Sequence, residues 1–426
     1  MTNILVKNKI LRGKVEAIPS KFVGQRVLIL SAFSQVDKIV RIKGRIDSDD
    51  MLATIECLRS LGARIDDLAD GYLVFPIMVY NKGAVLDCRE SGATLRYLLP
   101  IVCALGIECT FVGGEKLTSR PINDLLKCLR DRGASFDSDS LPITVSGKLK
   151  SGAYRIRGDI TSQFVSGMLM AMALIDGKST LTVTTPIEAV DNVNVTMQSM
   201  QNFGVHIVKQ GDGGKNTSFT IMHTERYRSP LDITIDGDWA SSGTWLIAGA
   251  ICGNVEVSGL NLESNQSDKN IIDILDKMGA NIRFEGKYIC SILSNLNAID
   301  YDARTTPDLV PILSVACAVA EGTSRIRNVA RLRSKNGNRL NGVIKALNSV
   351  GINAYEEGED LIVEGGLVEG GRVSTQGDHR LVMMALLLGI VSRDNIAIEG
   401  VGAVDKVYPR FLEDFVSLGG KYTVEN

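Results

Sequence analysis

One pattern of hydrophobic and polar positions recurs along the whole chain. An amphipathic segment of helical period is followed by a short step that contains glycine, and then by a segment in which apolar and polar residues alternate. The pattern occurs at CLRSLGARI (57–65), CLRDRGASF (128–136), MQNFGVHIV (200–208), LDKMGANIR (275–283), LNSVGINAY (347–355) and FVSLGGKYT (415–423). The glycines lie 71, 71, 75, 72 and 68 residues apart, which predicts six structural repeats of about 71 residues.

The glycine step predicts the end of a helix in each repeat. Glycine adopts the left-handed conformation after a last helical turn at little steric cost, and the chain can then return as a strand. The alternating segment NIRFEGKYICSI (281–292) predicts two strands joined at Glu285-Gly286. The apolar segments SGMLMAMALI (166–175) and VPILSVACAVA (310–320) predict helices that are buried on all sides. Each repeat therefore has an apolar face to bury against its neighbours.

Length and composition restrict the class of protein. A chain of 426 residues predicts two or more domains, and its net charge of −2 argues against a generally basic nucleic-acid-binding protein. No stretch of 18 apolar residues and no signal-peptide core is present, so neither a membrane span nor secretion is predicted. Eight cysteines without a CxxC pair predict buried free thiols in the cytoplasm, and three dispersed histidines are too few for a metal site.

Charged and polar side chains concentrate where the predicted helices begin. Lys21 and Arg26 follow Ser20, a candidate N-cap, and the free N–H groups of such a helix start attract anions. Comparable loops are RESGATLR (89–96), TSRPI (118–122), TSQF (161–164), TTPD (305–308), QGDHR (376–380) and VDKV (404–407). Cations collected at one end of two domains would focus a positive potential. The loops therefore predict a small polyanionic ligand, such as a phosphate ester with a carboxylate.

Several of these loops also have a simpler structural interpretation. Lys21 and Arg26 could be solvated cations on a capped helix, and Asp308 could be an N-terminal cap of the helix that follows it. The segment RLRSKNGNRL (331–340) is cationic and contains no acid. Its Asn336-Gly337 pair is typical of a tight hairpin turn, so this segment is either a turn between strands or one wall of an anion site.

Taken in order, these motifs resemble the 5-enolpyruvylshikimate-3-phosphate synthase family over the whole length of the chain. The related family that acts on UDP-N-acetylglucosamine is a poorer match, because its reactive cysteine has no counterpart in GGEKLTSRPI (113–122). The resemblance implies an α/β (α+β) protein with the two-domain enolpyruvyl transferase fold. Six βαβαββ-type repeats, three per domain, would form an inside-out α/β barrel. The N-terminal lobe would span 18–236 and the C-terminal lobe 1–17 plus 237–426, with the active site in the cleft between the domains.

The resemblance also implies an activity. The family transfers the enolpyruvyl group of phosphoenolpyruvate to a hydroxyl of shikimate 3-phosphate and releases phosphate, without a metal or an organic cofactor. We therefore expect a cytoplasmic, monomeric enzyme with two small anionic substrates and with neither nucleic acid nor membrane as a partner.

The matching positions imply roles for individual residues. Phosphoenolpyruvate would bind through its phosphate and carboxylate to Lys21, Gly92, Arg120, Gln163, Arg339, Arg380 and Lys406. Shikimate 3-phosphate would bind to Lys21, Arg26, Thr161, Ser162, Gln163, Asp308 and Lys335. Within these sets, Arg339 and Arg380 would pair with the carboxylate of phosphoenolpyruvate, and Arg26 would face that of shikimate. Catalysis would fall to Asp308 as the base for the hydroxyl, to Lys21 and Lys406, and to position 336.

The chain departs from the family pattern at the acceptor side and at one proton-transfer position. Asn336 replaces the family glutamate that handles a proton, and losing a general acid typically costs about 10²–10⁴ in rate. Glu90 replaces an asparagine beside the expected phosphate, where it must turn toward an arginine or weaken binding. On the shikimate side, Phe22, Ala189 and Asn192 replace two serines and a tyrosine.

These departures keep two alternatives open. The chain could be a diverged relative that acts on another shikimate-type or cyclitol-type substrate, by enolpyruvyl transfer or by elimination. It could also be a protein of the same fold that binds anions and catalyses nothing.

Overall fold

The computed structural model describes residues 3–7, 9–335 and 337–425, and the chain divides into two compact units. The N-terminal unit consists of Pro19–Asp236 and Ser264–Gln266. The C-terminal unit consists of Met1–Ile18, Gly237–Glu263 and Ser267–Asn426. The short segment Ser264–Gln266 belongs to the N-terminal unit, although the range 237–426 predicted for the C-terminal lobe includes it. Its Asn265 donates a backbone N–H to Oε1 of Gln198 at 3.1 Å within the N-terminal unit.

The helices of the described residues alternate with short strands. The α-helices are α1 (Lys21–Ala32), α2 (Asp49–Leu61), α3 (Gly92–Leu105), α4 (Glu115–Thr118), α5 (Asn123–Arg130), α6 (Ser162–Ala173), α7 (Val190–Asn202), α8 (Trp239–Cys252), α9 (Ile271–Lys277), α10 (Val310–Ala318), α11 (Arg339–Asn348), α12 (His379–Val391) and α13 (Phe411–Ser417). Short 3-10 helices occur at Ser267–Asn270, Ala330–Ser334 and Val401–Lys406.

The strands are β1 (Asn3–Val6), β2 (Leu11–Glu16), β3 (Val40–Lys43), β4 (Arg64–Leu68), β5 (Gly71–Phe75), β6 (Ala84–Asp87), β7 (Cys109–Val112), β8 (Ala134–Phe136), β9 (Ile143–Gly147), β10 (Gly152–Ile156), β11 (Ser179–Val183), β12 (Ile207–Gln210), β13 (Ser218–Ile221), β14 (Asp232–Thr234), β15 (Gly253–Ser258), β16 (Asn281–Glu285), β17 (Tyr288–Ile292), β18 (Asp300–Asp302), β19 (Thr323–Arg327), β20 (Ala354–Glu357), β21 (Asp360–Glu364), β22 (Gly371–Ser374), β23 (Ile396–Glu399) and β24 (Tyr422–Glu425).

All the sheets of the described residues share one pairing pattern. Each has four strands, in which a parallel pair is followed by two antiparallel neighbours. The N-terminal unit contains the orders β14-β3-β5-β4, β6-β7-β9-β8 and β10-β11-β13-β12, and the C-terminal unit contains β2-β15-β17-β16, β18-β19-β21-β20 and β22-β23-β1-β24. Three equivalent sheets in each unit confirm the predicted repeats.

The crossover helices explain where polar side chains gather. A parallel strand pair needs a long connection, which α3 supplies between β6 and β7 and α6 between β10 and β11. In the C-terminal unit, α10 connects β18 to β19 in the same way, and α12 connects β22 to β23. Each of these helices begins just beyond the carboxyl end of a strand, which is where parallel α/β sheets usually bind ligands.

The repeat glycines adopt the predicted conformation. Gly62, Gly133, Gly204, Gly279, Gly351 and Gly419 have φ angles between 76° and 115°. At the end of α2, the N–H of Gly62 donates to the carbonyl oxygen of Arg59 and that of Ala63 to the carbonyl oxygen of Leu58, both at 3.0 Å. This left-handed closure lets the chain leave the helix and enter β4 directly.

Each unit has its own hydrophobic core. The core of the N-terminal unit consists of buried residues between Val23 and Ile235. The core of the C-terminal unit consists of buried residues between Ile4 and Ala17 and between Trp239 and Leu418. Every residue of α10 is buried, as is every residue of α6 except Gln163, which confirms the prediction for both helices. The eight cysteines are free, and all but Cys252 are buried. Among the described residues, no helix is long and apolar enough to cross a membrane.

The structure decides two of the alternatives left open by the sequence. The segment 331–340 begins within the 3-10 helix Ala330–Ser334 and ends in α11, and neither of these elements is a strand. The interpretation of this segment as a hairpin turn between strands is therefore wrong. Asn336 itself lies outside the described residues. The N-cap of α10 is Leu309, so the interpretation of Asp308 as a helix cap is also wrong. Ser20 occupies the N-cap position of α1, but within the described part of the chain its buried hydroxyl group has no hydrogen-bond partner and does not cap the helix.

Candidate active site

In the N-terminal unit, three polar side chains meet around Gly92. A Cβ atom on Gly92 would lie 2.5 Å from Nη1 of Arg96, 3.1 Å from Nη1 of Arg120 and 3.5 Å from Oε1 of Gln163. Nη1 of Arg96 donates to Oε1 of Gln163 at 2.8 Å. Only a glycine at the start of α3 leaves room for both guanidinium groups, so we call Gly92, Arg96, Arg120 and Gln163 the Gly92 cluster.

Arg96 is a member of this cluster to which the motifs assigned no role. It is buried, and within the described residues its Nε has no hydrogen-bond partner and no carboxylate lies within 4 Å of its guanidinium group. Burial, together with the charge of Arg120, lowers the pKa of Arg96 to about 10. Two neighbouring cations without a neutralising acid are unfavourable by themselves, so this arrangement suits a bound anion.

Lys21 begins α1 and pairs with an acid that was not predicted. Its Nζ lies 2.7 Å from Oδ2 of Asp50 in α2. Beneath this pair, the buried side chain of Gln25 donates to the carbonyl oxygen of Asp50 at 3.3 Å and contacts the hydroxyl of Ser91 at 3.4 Å. This network fixes the starts of α1, α2 and α3 relative to one another, and thus holds Lys21 and Gly92 in a defined arrangement within the unit.

Arg26 is only 1% exposed and already makes several hydrogen bonds. Nε donates to Oγ1 of Thr196 at 2.7 Å, while Nη1 and Nη2 donate to the carbonyl oxygens of Phe22 at 2.6 Å and Asn192 at 3.0 Å. Burial is the main cause that lowers the pKa of Arg26, with Tyr97 opposing it. Two of the residues that depart from the family pattern, Phe22 and Asn192, therefore contact the arginine predicted to face the acceptor.

Thr161 and Ser162 stand at the start of α6, as predicted. The hydroxyl of Thr161 accepts the N–H of Gln163 at 3.3 Å, and Ser162 is buried. Glu90 is exposed and does not turn toward an arginine. A Cβ on Gly114 would overlap its carboxylate, so the side chain lies over the backbone of that glycine instead. Of the two predicted outcomes, pairing with an arginine is therefore not observed among the described residues, because Gly114 leaves a space that the acidic side chain fills, and the weakening of phosphate binding stays a prediction.

For phosphoenolpyruvate, the substrate that the motifs predict, we expect the Gly92→Ala variant to raise KM about tenfold, which corresponds to about 1.4 kcal/mol, with little change in stability. The new methyl group would displace the ends of Arg96 and Arg120, which are flexible side chains rather than backbone. Steady-state kinetics with varied phosphoenolpyruvate measure the effect. Gly366→Ala is a matched control, since its Cβ would meet only Cδ1 of Ile352 at 3.7 Å. An unchanged KM in Gly92→Ala would contradict the role of the cluster.

In the C-terminal unit, Asp308 is the centre of a second group. Its Oδ1 accepts hydrogen bonds from Nζ of Lys335 at 2.8 Å and from Nη1 of Arg339 at 2.7 Å. Burial raises the pKa of Asp308, but the charges of Lys335, Arg380 and Arg339 outweigh it and hold this pKa well below its ordinary value. Three predicted residues are thus brought together, and we call Asp308, Lys335, Arg339 and Asp378 the Asp308 cluster.

Asp378 positions Arg339 within this cluster. Its fully buried carboxylate accepts Nε of Arg339 at 2.6 Å and Nη2 at 3.2 Å. The same carboxylate caps α12 by accepting the N–H of Arg380 at 2.8 Å. Burial opposes ionisation, but Arg339 lowers the pKa of Asp378. One carboxylate therefore holds the guanidinium group of Arg339 and the backbone of Arg380, the two arginines that were predicted to bind a carboxylate.

Arg380 is 3% exposed and weakly bonded. Nη1 contacts the hydroxyl of Ser241 at 3.4 Å, and Nε has no partner among the described residues. Its neighbour His379 has its pKa lowered to about 3 by burial and by Arg380, so its imidazole is neutral at pH 7. Lys406 is exposed at the end of the 3-10 helix Val401–Lys406, which packs on α12, and among the described residues no hydrogen bond or ion pair joins it to the Asp308 cluster.

Comparison with known proteins identifies the family. The model of the family "EPSP synthase (3-phosphoshikimate 1-carboxyvinyltransferase)" matches residues 5–415. The chain belongs to the EPSP synthase family. A 3-phosphoshikimate 1-carboxyvinyltransferase of Clostridium kluyveri is 36% identical over 416 residues, which are 96% of each chain. The enzyme of the same name from Clostridium novyi is 34% identical and covers 99% of this chain and 98% of its own.

Solved structures of EPSP synthases and a related transferase have the same fold. The EPSP synthase of Acinetobacter baumannii superposes with a TM-score of 0.86 over 100% of both chains, at 22% identity. The enolpyruvyl transferase NikO of Streptomyces tendae gives a TM-score of 0.77 at 19% identity, covering 100% of this chain and 98% of its own. The predicted enolpyruvyl transferase fold is therefore confirmed.

Proposed function

We propose that this member of the EPSP synthase family is a 3-phosphoshikimate 1-carboxyvinyltransferase, which transfers the enolpyruvyl group of phosphoenolpyruvate to a hydroxyl of shikimate 3-phosphate and releases phosphate. The observation that carries the proposal is the family match across residues 5–415, joined by full-length relatives of that name at about 35% identity. The departures at the acceptor side and at Asn336 make the acceptor and the proton donor the points to test.

The N-terminal unit offers binding groups for phosphate. We propose that the Gly92 cluster and Lys21 bind the phosphate of phosphoenolpyruvate, and that Thr161 and Ser162 bind the phosphate of shikimate 3-phosphate. The unneutralised charges of Arg96 and Arg120 support the first assignment. Such donors are already in place before the reaction and stabilise negative charge as the phosphate departs. Lys406 of the C-terminal unit stays a predicted ligand of the same phosphate.

The C-terminal unit offers a base held among cations. We propose that Arg339 and Arg380 bind the carboxylate of phosphoenolpyruvate and that Lys335 binds the phosphate of shikimate 3-phosphate. As these anions attract Lys335 and Arg339, Asp308 loses its ion-pair partners and its proton affinity rises. The substrates would thereby convert a carboxylate of very low basicity into a useful base for the hydroxyl group.

The proposed reaction has two steps. The acceptor hydroxyl loses its proton to Asp308 and its oxygen bonds to C2 of phosphoenolpyruvate, while C3 gains a proton and becomes a methyl group. C3 then loses a proton, the double bond re-forms, and the C2–O bond to phosphate breaks. Lys21 and the arginines of the Gly92 cluster would stabilise the departing phosphate.

The test is to incubate the purified protein with shikimate 3-phosphate and phosphoenolpyruvate and to follow phosphate release and product mass. We expect phosphate release only with both substrates and a product that carries the added enolpyruvyl group. Phosphate release from shikimate 3-phosphate alone would instead indicate elimination by a diverged relative. Binding without turnover, unrelieved in an Asn336→Glu variant, would indicate a non-catalytic anion-binding protein.

We further propose that the enzyme is a cytoplasmic monomer. The free state of all eight cysteines supports a reducing compartment. Size-exclusion chromatography with light scattering tests the oligomeric state, and a dimer mass would contradict this proposal.

A further inference from the structure

Asn338 is a residue of the cationic segment 331–340 to which the proposed reaction gives no role. It directly precedes Arg339 and occupies the N-cap position of α11 in the left-handed conformation, with φ 77° and ψ 71°. Its side-chain Oδ1 accepts the N–H of Asn341 at 3.1 Å. Residues other than glycine rarely adopt this conformation, and asparagine is among the few that tolerate it. Asn338 therefore has two separable properties, a helix cap and an unusual backbone conformation.

The cap alone does not require the left-handed conformation. Among the described residues, other side chains also cap α-helices through an N–H of the first turn, and each of them has an extended backbone: Ser48, Ser91, Thr161, Asp238 and Asp378. An extended N-cap is the usual geometry. The positive φ of Asn338 therefore has a cause other than capping.

The backbone at Asn338 brings two cations to one acid. The carbonyl oxygen of Lys335 accepts the N–H of Asn338 at 3.0 Å and that of Arg339 at 2.9 Å, so the chain folds back between the two cations. Gly337, with φ 75°, and Asn338 form this turn as consecutive left-handed residues. Nζ of Lys335 and Nη1 of Arg339 then both reach Oδ1 of Asp308, at 2.8 and 2.7 Å. The turn therefore determines where both cationic side chains begin.

Arg339 has little freedom to compensate for a change in this turn. Its side chain is only 4% exposed, and Asp378 holds its Nε at 2.6 Å while Asp308 holds its Nη1. A planar guanidinium group that bonds two carboxylates has a fixed orientation, so a displaced backbone cannot keep both contacts. A shift at Asn338 would therefore reach the arginine that is proposed to bind the substrate carboxylate.

We propose that Asn338 is a positioning residue that acts through Arg339: its left-handed conformation, rather than its cap, holds the guanidinium group between Asp308 and Asp378 for the substrate carboxylate. The inference rests on the proposed function, because Arg339 is taken as a ligand of phosphoenolpyruvate. A residue that resists a positive φ at this position would draw Arg339 away from both acids. Substrate affinity and the basicity of Asp308 should then change together.

The experiment separates the two properties with three substitutions. Asn338→Gly keeps the conformation without the cap, Asn338→Ser keeps a cap but resists the conformation, and Asn338→Val allows neither. We expect kcat/KM for phosphoenolpyruvate to stay within about twofold of the native value in Asn338→Gly and to fall about 10–10²-fold in the other two variants. A native-like Asn338→Ser with an impaired Asn338→Gly would overturn the proposal, as would native kinetics in all three.

Asn216 supplies a matched control. It also has a positive φ, 64°, but it lies in an exposed turn of the N-terminal unit just before β13. Asn216→Ser introduces the same conflict between residue and conformation, and it should keep native kinetics. A comparable loss of kcat/KM in Asn216→Ser would mean that such strain acts on the whole protein, and the specific role of Asn338 would be refuted.

The titration of Asp308 reports the position of Arg339 without turnover. The charged or titratable groups that act on this carboxylate are Lys335, Arg339, Arg380, His379 and Asp268. Burial raises the pKa of Asp308, but the cations hold it well below its ordinary value. Withdrawal of Arg339 should therefore raise this pKa in Asn338→Ser and Asn338→Val and leave it unchanged in Asn338→Gly. Carboxyl ¹³C NMR measures the titration, and Asp308→Asn identifies the signal.

The two readouts separate failure of this inference from failure of the proposed function. A raised pKa of Asp308 in Asn338→Ser and Asn338→Val, without turnover by the native protein, would refute the proposed function alone. Turnover by the native protein, with the same pKa of Asp308 and the same kinetics in every variant, would refute the role of Asn338 alone.

Discussion

Replacing Arg339 by alanine is expected to lower kcat/KM for phosphoenolpyruvate by about 10²–10³ and to destabilise the C-terminal unit. The guanidinium group neutralises two acids at once, since it lies 2.6 Å from Asp378 and 2.7 Å from Asp308. The Asp378 carboxylate is fully buried, and removing one partner of a buried ion pair typically costs about 3–5 kcal/mol. Steady-state kinetics and urea unfolding measure the two effects.

A matched control distinguishes this role from a general loss of positive charge. Arg333 lies in the same cationic segment but pairs with Glu356 at the surface, where ion pairs contribute little. Arg333→Ala should therefore keep nearly full activity and stability. Arg339→Lys should fall between the native protein and Arg339→Ala, because lysine keeps the charge but cannot make the two-point contact with Asp378. Native activity in Arg339→Ala would refute the proposed site in this unit.

The architecture was largely predictable because one local signal is repeated. A glycine that ends a helix with a positive φ angle is recognisable in the sequence from the helical pattern before it. Six such glycines at nearly equal spacing therefore predict the repeats. The strands were harder to place. β14 (Asp232–Thr234) has only three residues and pairs with β3, which lies far away in the chain, so no local pattern reveals it. The same limit applies to β1, which pairs with β23 and β24 near the other end.

The candidate site was predictable only where a motif carries it. Asp308, Lys335 and Arg339 were named from the motifs and do lie together. Arg96 received no role, although its place one helical turn after Gly92 on α3 is a signal that could have assigned it to the same face. Asp50 gave no such signal. An acid in the first turn of a helix is ordinary dipole stabilisation, and only the fold reveals its contact with Lys21.

Asp268, in the 3-10 helix Ser267–Asn270 of the C-terminal unit, shows a more general limit. Nothing in the sequence reveals that its Oδ1 is buried without a hydrogen-bond partner among the described residues, because burial depends on the packing of distant elements. The paired acids of the Asp308 cluster and the unpaired acid of the Ser267–Asn270 helix have opposite pKa shifts in the same unit. Because these two pKa values are shifted in opposite directions, Asp308 is ionised at a pH at which Asp268 keeps its proton.

The Asp308→Asn variant should lose about 10²–10⁴ in kcat while KM for phosphoenolpyruvate stays the same or decreases. An asparagine keeps the shape of the side chain but cannot take the proton of the acceptor hydroxyl. Lys335 and Arg339 would lose a competing carboxylate and so become more available to the substrates. Steady-state kinetics separate the two constants, and Asp300→Asn is the control, since Asp300 pairs with Arg327 at the surface.

The pH dependence of the native protein tests the same idea without a variant. Because the pKa of Asp308 lies well below its ordinary value, the free protein keeps this base ionised as the pH falls to about 4. Once anionic substrates attract Lys335 and Arg339, the pKa of Asp308 should rise. The acid limb of kcat, which reports the complex, should therefore lie at higher pH than that of kcat/KM, which reports the free enzyme. Coincident acid limbs would mean that the substrates leave these ion pairs intact, and Asp308 could then not act as the base.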